Sequence, residues 1–186
     1  MSGLDAPMQG DGCRAEPITE AHRQALKAAC AEDPDIWQLY ALNFGPEGFD
    51  ASFDRIAALP WHRFALFDGD ELAGMSCFIN PDAKRGTVEI GNTYYRPKFR
   101  GTGFNRRVKA MMLGRAFDSD IRRVEFRVDR RNKRSQAAMA KLGAVREGVM
   151  RADRLAVPNR KRPAFANPNG ERGCGGCGRE SDSAEQ

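Results

Sequence analysis

A chain of 186 residues, 41% of them hydrophobic, is long enough for one domain built around a single core. Its apolar runs end after a few residues and no basic start precedes a hydrophobic stretch, which argues against a membrane span or secretory leader and predicts a cytoplasmic protein. The formal charge of +5 is unevenly spread: residues 1–83 carry 5 Lys/Arg against 14 Asp/Glu, residues 84–162 carry 23 against 7, and residues 163–186 carry 2 against 4. A basic block of that size predicts a multiply anionic ligand, with nucleic acid as the competing reading.

Residues 1–12 are small, polar and turn-forming and are expected to be a disordered leader. Arg14 to Ile18 suggests a short edge strand, and Thr19 an N-cap for a helix carrying Ala21, Ala25, Leu26, Ala29 and Cys30 at helical spacing, ended by Asp33-Pro34. A short helical piece follows around Ile36 to Tyr40. Phe49, Phe53, Ile56 and Leu59 then mark a second amphipathic helix, closed by Pro60. The period then becomes extended. Phe64 to Phe67, the turn Asp68-Gly69-Asp70 and Leu72 to Ile79 predict a hairpin, and Thr87 to Tyr95 a further strand.

After that strand the chain passes Pro97 and Arg100-Gly101-Thr102-Gly103 into a helix. Phe104, Val108, Met111, Met112 and Ala116 form its apolar face, with Arg106, Arg107 and Lys109 placed elsewhere. A glycine pair at a helix start lets a ligand approach the backbone, and the unbonded N–H groups there favour negative charge, as in a pyrophosphate cradle; taken alone, the pair reads equally as a bland turn. Arg123 to Val128 alternates strictly and predicts a half-buried strand. Ser135 is a candidate N-cap for a helix from Gln136 to Leu142, stopped by Gly143, and Ala144 to Val157 reads as extended. Residues 163–186 are expected to be a disordered Gly/Pro/charged tail.

Five scattered cysteines (Cys13, Cys30, Cys77, Cys174 and Cys177) fit reduced thiols better than a disulfide framework. Cys174-Gly175-Gly176-Cys177 supplies two ligands without a second pair. His22 and His62 belong to no metal-spaced cluster, so no metal is expected.

Val88-Glu89-Ile90-Gly91, Arg100-Gly101-Thr102-Gly103-Phe104-Asn105, Asp129 to Ser135 and Lys141 to Gly148, in that order, resemble the GNAT superfamily of acyl-CoA-dependent N-acyltransferases, in particular the branch that includes ribosomal-protein alanine N-acetyltransferases. The likeness spans about residues 13–162, expected as one acetyltransferase domain. It implies an α/β fold with a mixed, mostly antiparallel central sheet flanked by helices. It also implies acetyl-CoA as co-substrate, its pyrophosphate on the backbone of Arg100, Gly101, Thr102, Gly103, Phe104 and Asn105. Asn132 resembles the family residue that bonds the pantetheine arm or nearby backbone, Ser135 lies near the thiol end, and Arg100, Lys133 and Arg134 are candidates for the CoA phosphates.

The reaction implied is direct attack of a primary amine, on a protein N-terminus or a small molecule, on the thioester. Ile90 or Gly91 would supply an amide that polarises the carbonyl. Glu89 is the candidate base, with pairing to an arginine or exposure to solvent as the alternative. Lys98 stands where relatives carry Gln or Arg, and Met139 where many carry a tyrosine acid, which leaves that role to Ser135 or water. The usual last strand is expected to be missing. Hence the alternative is a catalytically impaired acyl-CoA-binding protein of the same fold. Nucleic-acid binding is disfavoured because the basic block lacks interleaved aromatics or a known module.

Overall fold

The computed structural model describes residues 3–151. Six strands form one sheet in sequential order: β1 (Met8–Gly10), β2 (Cys13–Pro17), β3 (His62–Asp68), β4 (Glu71–Asp82), β5 (Thr87–Tyr95) and β6 (Arg123–Glu125). The first five pair antiparallel and β6 joins β5 in parallel. This is the mixed, mostly antiparallel sheet expected. Four helices accompany it: α1 (Arg23–Ala31), α2 (Phe49–Ala57), α3 (Phe104–Asp118) and α4 (Lys133–Lys141).

Alternating side chains send the two sheet faces into separate cores. In β3, Phe64 and Leu66 pack under α3 with Phe78, Val88, Ile90, Phe104, Val108 and Met112. Ala65, between them, joins Met75, Tyr94, Trp37 and the buried stripes of α1 and α2 on the other side. Those stripes are Leu26, Ala29 and Cys30 in α1 and Phe49, Ser52, Phe53 and Ile56 in α2, the three-and-four spacing that places residues on one helical face. Asp33 precedes a 3-10 turn over Pro34–Leu39, which buries Ile36 and Trp37. Cys13, Cys30 and Cys77 are buried free thiols. Among the described residues no helix is long and apolar enough to cross a membrane, and no group of three acidic, Cys or His side chains could hold a metal.

Three expectations need correction. Residues 3–12 are not a loose leader: β1 pairs with β2, and Leu4 and Met8 are buried in the α3 core. Asp11 and Gly12, at φ 47° and 72°, close a two-residue hairpin between the paired Gly10 and Cys13, the tight turn for which Asp-Gly is suited. β2 is therefore an inner strand, with β1 at the edge. The alternating run at 123–128 forms a strand only over Arg123–Glu125, because β6 has no partner residue beyond Glu125. Residues 144–151 carry no strand. The rest of that predicted segment, the missing last strand and the tail lie outside the described residues.

Candidate functional site

The site is a fork in the sheet. β6 pairs with β5 at Thr87↔Arg123, Val88↔Val124 and Glu89↔Glu125, whereas β5 continues to Tyr95. Beyond Glu89 the two strands part. On its other side β5 is bulged: Cys77 pairs with Gly91 and Met75 with Tyr94, so Asn92 and Thr93 lie opposite the single Ser76. Asn92 takes φ 48°, a left-handed conformation asparagine tolerates.

The N-terminus of α3 is also open. Gly101 and Gly103 have φ 82° and 87°, and a Cβ added to either would meet nothing within 4 Å. Gly103 is the N-cap and contributes no side-chain cap to the first amides. Thr102 Oγ1 donates to the Phe99 carbonyl at 2.9 Å and accepts from the Phe104 amide at 3.4 Å, while the Phe104 ring anchors the helix in the core. An unobstructed glycine backbone at the positive end of a 15-residue helix suits an anionic group such as a pyrophosphate.

The basic block has a different meaning in space from the one its sequence suggested. Much of it meets the acidic first third. Arg96 pairs with Glu32 and Glu71 at 2.7 Å each, Lys98 pairs with Glu71, and Arg107 holds Asp68 at 3.0 Å. Arg100, expected at the phosphates, turns back: its Nε donates to the Tyr95 carbonyl at 2.8 Å and its Nη1 pairs with Asp33. Its buried Nη2 has no partner among the described residues and remains available to a ligand oxygen. No ion pair among the described residues involves Arg106, Lys133 or Arg134, and all three are exposed.

Glu89 sits at the closed end of the fork. It is 7% exposed, and Arg127 Nε lies 3.4 Å from its Oε2. Gly91 makes room for it: a Cβ there would lie 2.9 Å from Glu89 Oε1 and 2.8 Å from Ile79 Cδ1. Ile90 points oppositely, into the α3 core. A carboxylate this buried, beside the half-exposed Arg127, is suited to exchanging a proton with an amine entering on its face.

On the far side of the fork, Asn132 rather than Ser135 is the cap of α4. Its Oδ1 accepts from the Ser135 amide at 3.0 Å, and the helix starts three residues earlier than the spacing implied. Asn132 thus bonds nearby backbone, and Ser135 occupies the first turn, half-buried, with its backbone fixed. Lys133 and Arg134 stand exposed at the same helix start.

Three polar side chains at the fork escaped sequence reasoning. Tyr40 donates its hydroxyl to the Thr93 carbonyl, and burial pushes its pKa up to about 12, opposed by the nearby charges of Arg134 and Arg100. Thr93 itself lies on the stretch of β5 that β6 does not cover. Lys109, placed off the apolar face by its charge, is 2% exposed and reaches Thr93 Oγ1 at 2.7 Å and Ser76 Oγ at 3.4 Å. Its spacing from Met112 and Ala116, three and seven residues, was the signal that it faces inward.

Comparison with known proteins bears on the family and the fold. A family model described as an acetyltransferase (GNAT) domain matches residues 14–145. A T. thermophilus protein assigned as an acetyltransferase is 32% identical, with 83% of each chain covered and a TM-score of 0.74. Two further structures share the fold at lower identity. The RimL ribosomal L7/L12 alpha-N-protein acetyltransferase is 18% identical over 81% of this chain and 88% of its own, with a TM-score of 0.69. The Vibrio cholerae spermidine N-acetyltransferase, solved with CoA and spermine, is 17% identical over 80% and 89%, with a TM-score of 0.65. No curated relative matches the chain.

Proposed function

The chain belongs to the GNAT acetyltransferase family, and we propose that it transfers the acetyl group of acetyl-CoA to a primary amine, on a protein N-terminus or a small polyamine, by direct attack on the thioester. The observation that carries this reading is the alignment of an open glycine helix start with a forked sheet: Gly101 and Gly103 at one end, and β5 free of β6 beyond Glu89 at the other.

In this reading acetyl-CoA is a substrate that supplies the activated acyl group. The backbone of Arg100, Gly101, Thr102, Gly103, Phe104 and Asn105 holds its pyrophosphate, with Arg100 Nη2, Lys133 and Arg134 as charge partners. Asn132 fixes the first turn of α4 and so holds Ser135 beside the thiol end. The amide of Ile90 or Gly91 polarises the carbonyl, and Glu89 takes the proton shed by the attacking nitrogen. RimL and the spermidine enzyme act on amines of very different size, which favours screening N-terminal peptides beside polyamines.

Calorimetric titration with acetyl-CoA tests the reading. The parent is expected to bind, and a Gly103→Glu variant, with bulk and negative charge in the cradle, to lose binding while remaining folded. A folded parent that does not bind sinks the reading. A second reading, binding without turnover, draws on α4, which buries no residue, and on the exposed Val145, Val149 and Met150 beyond it. Acetyl-CoA binding with no product from any amine in the screen would select it.

A further inference from the structure

We propose that the Thr93 hydroxyl, oriented by the buried Lys109 amine, hydrogen-bonds the departing sulfur of CoA, with Thr93 the catalytic group and Lys109 its positioning residue. The inference rests on the acetyltransferase reading above.

Lys109 occupies a core position of α3, among Val108, Met112 and the residues of the sheet, where an unbranched apolar side chain would pack without a desolvation cost. Among the described residues its hydrogen-bond partners are two hydroxyls, Thr93 Oγ1 at 2.7 Å and Ser76 Oγ at 3.4 Å, and these lie 2.7 Å from each other. Both hydroxyls lie 3.5 Å from the Gly91 carbonyl, so the amine is tied to the bulge of β5. Lys109 Nζ is also 5.9 Å from the centre of the Phe126 ring, one residue past the last pair of β6. The amine therefore lies where the strands part. Ser76 is fully buried, whereas Thr93 is only partly buried, which makes Thr93 the hydroxyl that can reach a ligand in the fork.

Along α3, Lys109 is about 7.5 Å from Phe104 at 1.5 Å per residue, so one helix carries both the pyrophosphate cradle and the amine. Burial lowers the Lys109 pKa to about 7, and both protonation states are populated at neutral pH. The titratable group facing it is the Cys77 thiol of β4, which burial pushes up to about 12 and keeps uncharged. The other groups facing it are the Ser76 and Thr93 hydroxyls and the Phe126 ring.

The step balances as follows. The acceptor nitrogen forms the C–N bond, the C–S bond breaks, and its electron pair stays on sulfur. Thr93 Oγ1 gives its proton to the sulfur and receives one from the Lys109 ammonium. The proton shed by the acceptor nitrogen goes to Glu89. CoA leaves as the thiol, Glu89 releases its proton to solvent, and solvent reprotonates Lys109.

The test needs no acceptor amine. Thiolate absorbance of bound CoA is followed against pH on the parent, Lys109→Met, Thr93→Val and Ser135→Ala, with cooperative unfolding recorded for each. On the parent the thiolate-to-thiol ratio at a given pH is expected to rise about tenfold over free CoA. That rise is expected to vanish in Lys109→Met and in Thr93→Val, and the second variant carries the test if the first does not fold. A folded parent that binds CoA without the rise overturns the inference and leaves the acetyltransferase reading standing. A rise kept in Lys109→Met and lost in Ser135→Ala overturns it in favour of Ser135. Failure of the folded parent to bind either CoA or acetyl-CoA overturns both readings.

Discussion

Up to Ile121 each helix and strand buries an apolar stripe, while from Arg122 to Arg151 no residue is buried. The earlier part is held by two cores on opposite faces of the sheet. The later part reaches the first core through the half-buried Val124 and Phe126. Otherwise it is held by polar links: three residue pairs of β6, Arg123 with Glu147 at 2.6 Å, Gln136 with the Arg130 carbonyl at 2.8 Å, and the Asn132 cap. The fork lies on the boundary between them. The proposed cradle at the start of α3 and the proposed polarising amides of β5 belong to the tightly packed part, and Asn132, Lys133, Arg134 and Ser135 to the other. Regions with few buried apolar contacts open at lower free energy than the global transition. The contrast therefore places the rigid reference of the site on α3 and β5, and its adjustable wall on α4.

The strongest way to break this comparison is Phe104→Ala. Phe104 is fully buried against Phe99 and Tyr95 at ring distances of 5.4 and 5.5 Å. Denaturant unfolding is expected to show a loss of about 3–5 kcal/mol. A loss below about 1 kcal/mol would mean that α3 is no better packed than α4.

Lys109 is the polar exception inside the packed part, and its removal should sharpen the contrast. Lys109→Met is expected to stabilise the fold by about 1–4 kcal/mol at neutral pH. The sign follows from the lowered pKa. Between about pH 7 and the ordinary lysine value of 10.5, the unfolded chain holds the proton that the folded chain has lost. Parental stability therefore gains from this site as pH rises through that window and loses the gain as pH falls toward 7. The Lys109→Met protein should lack this contribution to the slope, as read from unfolding free energies at pH 7 and 9.

Asn132→Ala should have the smallest effect and confine it to one side. Loss of the cap is expected to cost α4 about 0.5–2 kcal/mol. Hydrogen exchange is the readout: faster exchange in the α4 amides, with the amides of α3 between Val108 and Ala116 unchanged. Equal acceleration in both helices would show that the two parts open together.

What could be read from the amino-acid order follows the same division. Leu26, Phe53, Phe64, Val88 and Met112 announced their elements through apolar period, and the tightly packed part was largely legible. Glu89 was legible as a carboxylate inside an apolar strand, and the glycine pair as an open helix start. The pairing of Arg100 with Asp33 was not, because Asp33 is 67 residues distant in sequence. Lys109 was misplaced because its charge outweighed its spacing from Met112 and Ala116. β1 was missed because residues 1–12 look like a solvated leader, although Asp11-Gly12 carried the hairpin signal. In the later part, Val124, Phe126 and Val128 alternate as a strand should, but β5 offers no partner past Glu89. Periodicity records which face a residue prefers and says nothing about whether a neighbouring strand is present.

The pairing of Met8–Gly10 with Cys13–Pro17 bears on where this protein can be cut. A shortened chain begun at Arg14, where the family likeness begins, would leave the outer row of amides and carbonyls on β2 open along its length. A second copy presents the same row, and hydrogen bonds between the two would join sheets across molecules. Such a fragment would precipitate or dimerise through its trimmed side, and the strand Met8–Gly10 serves as the guard against that outcome.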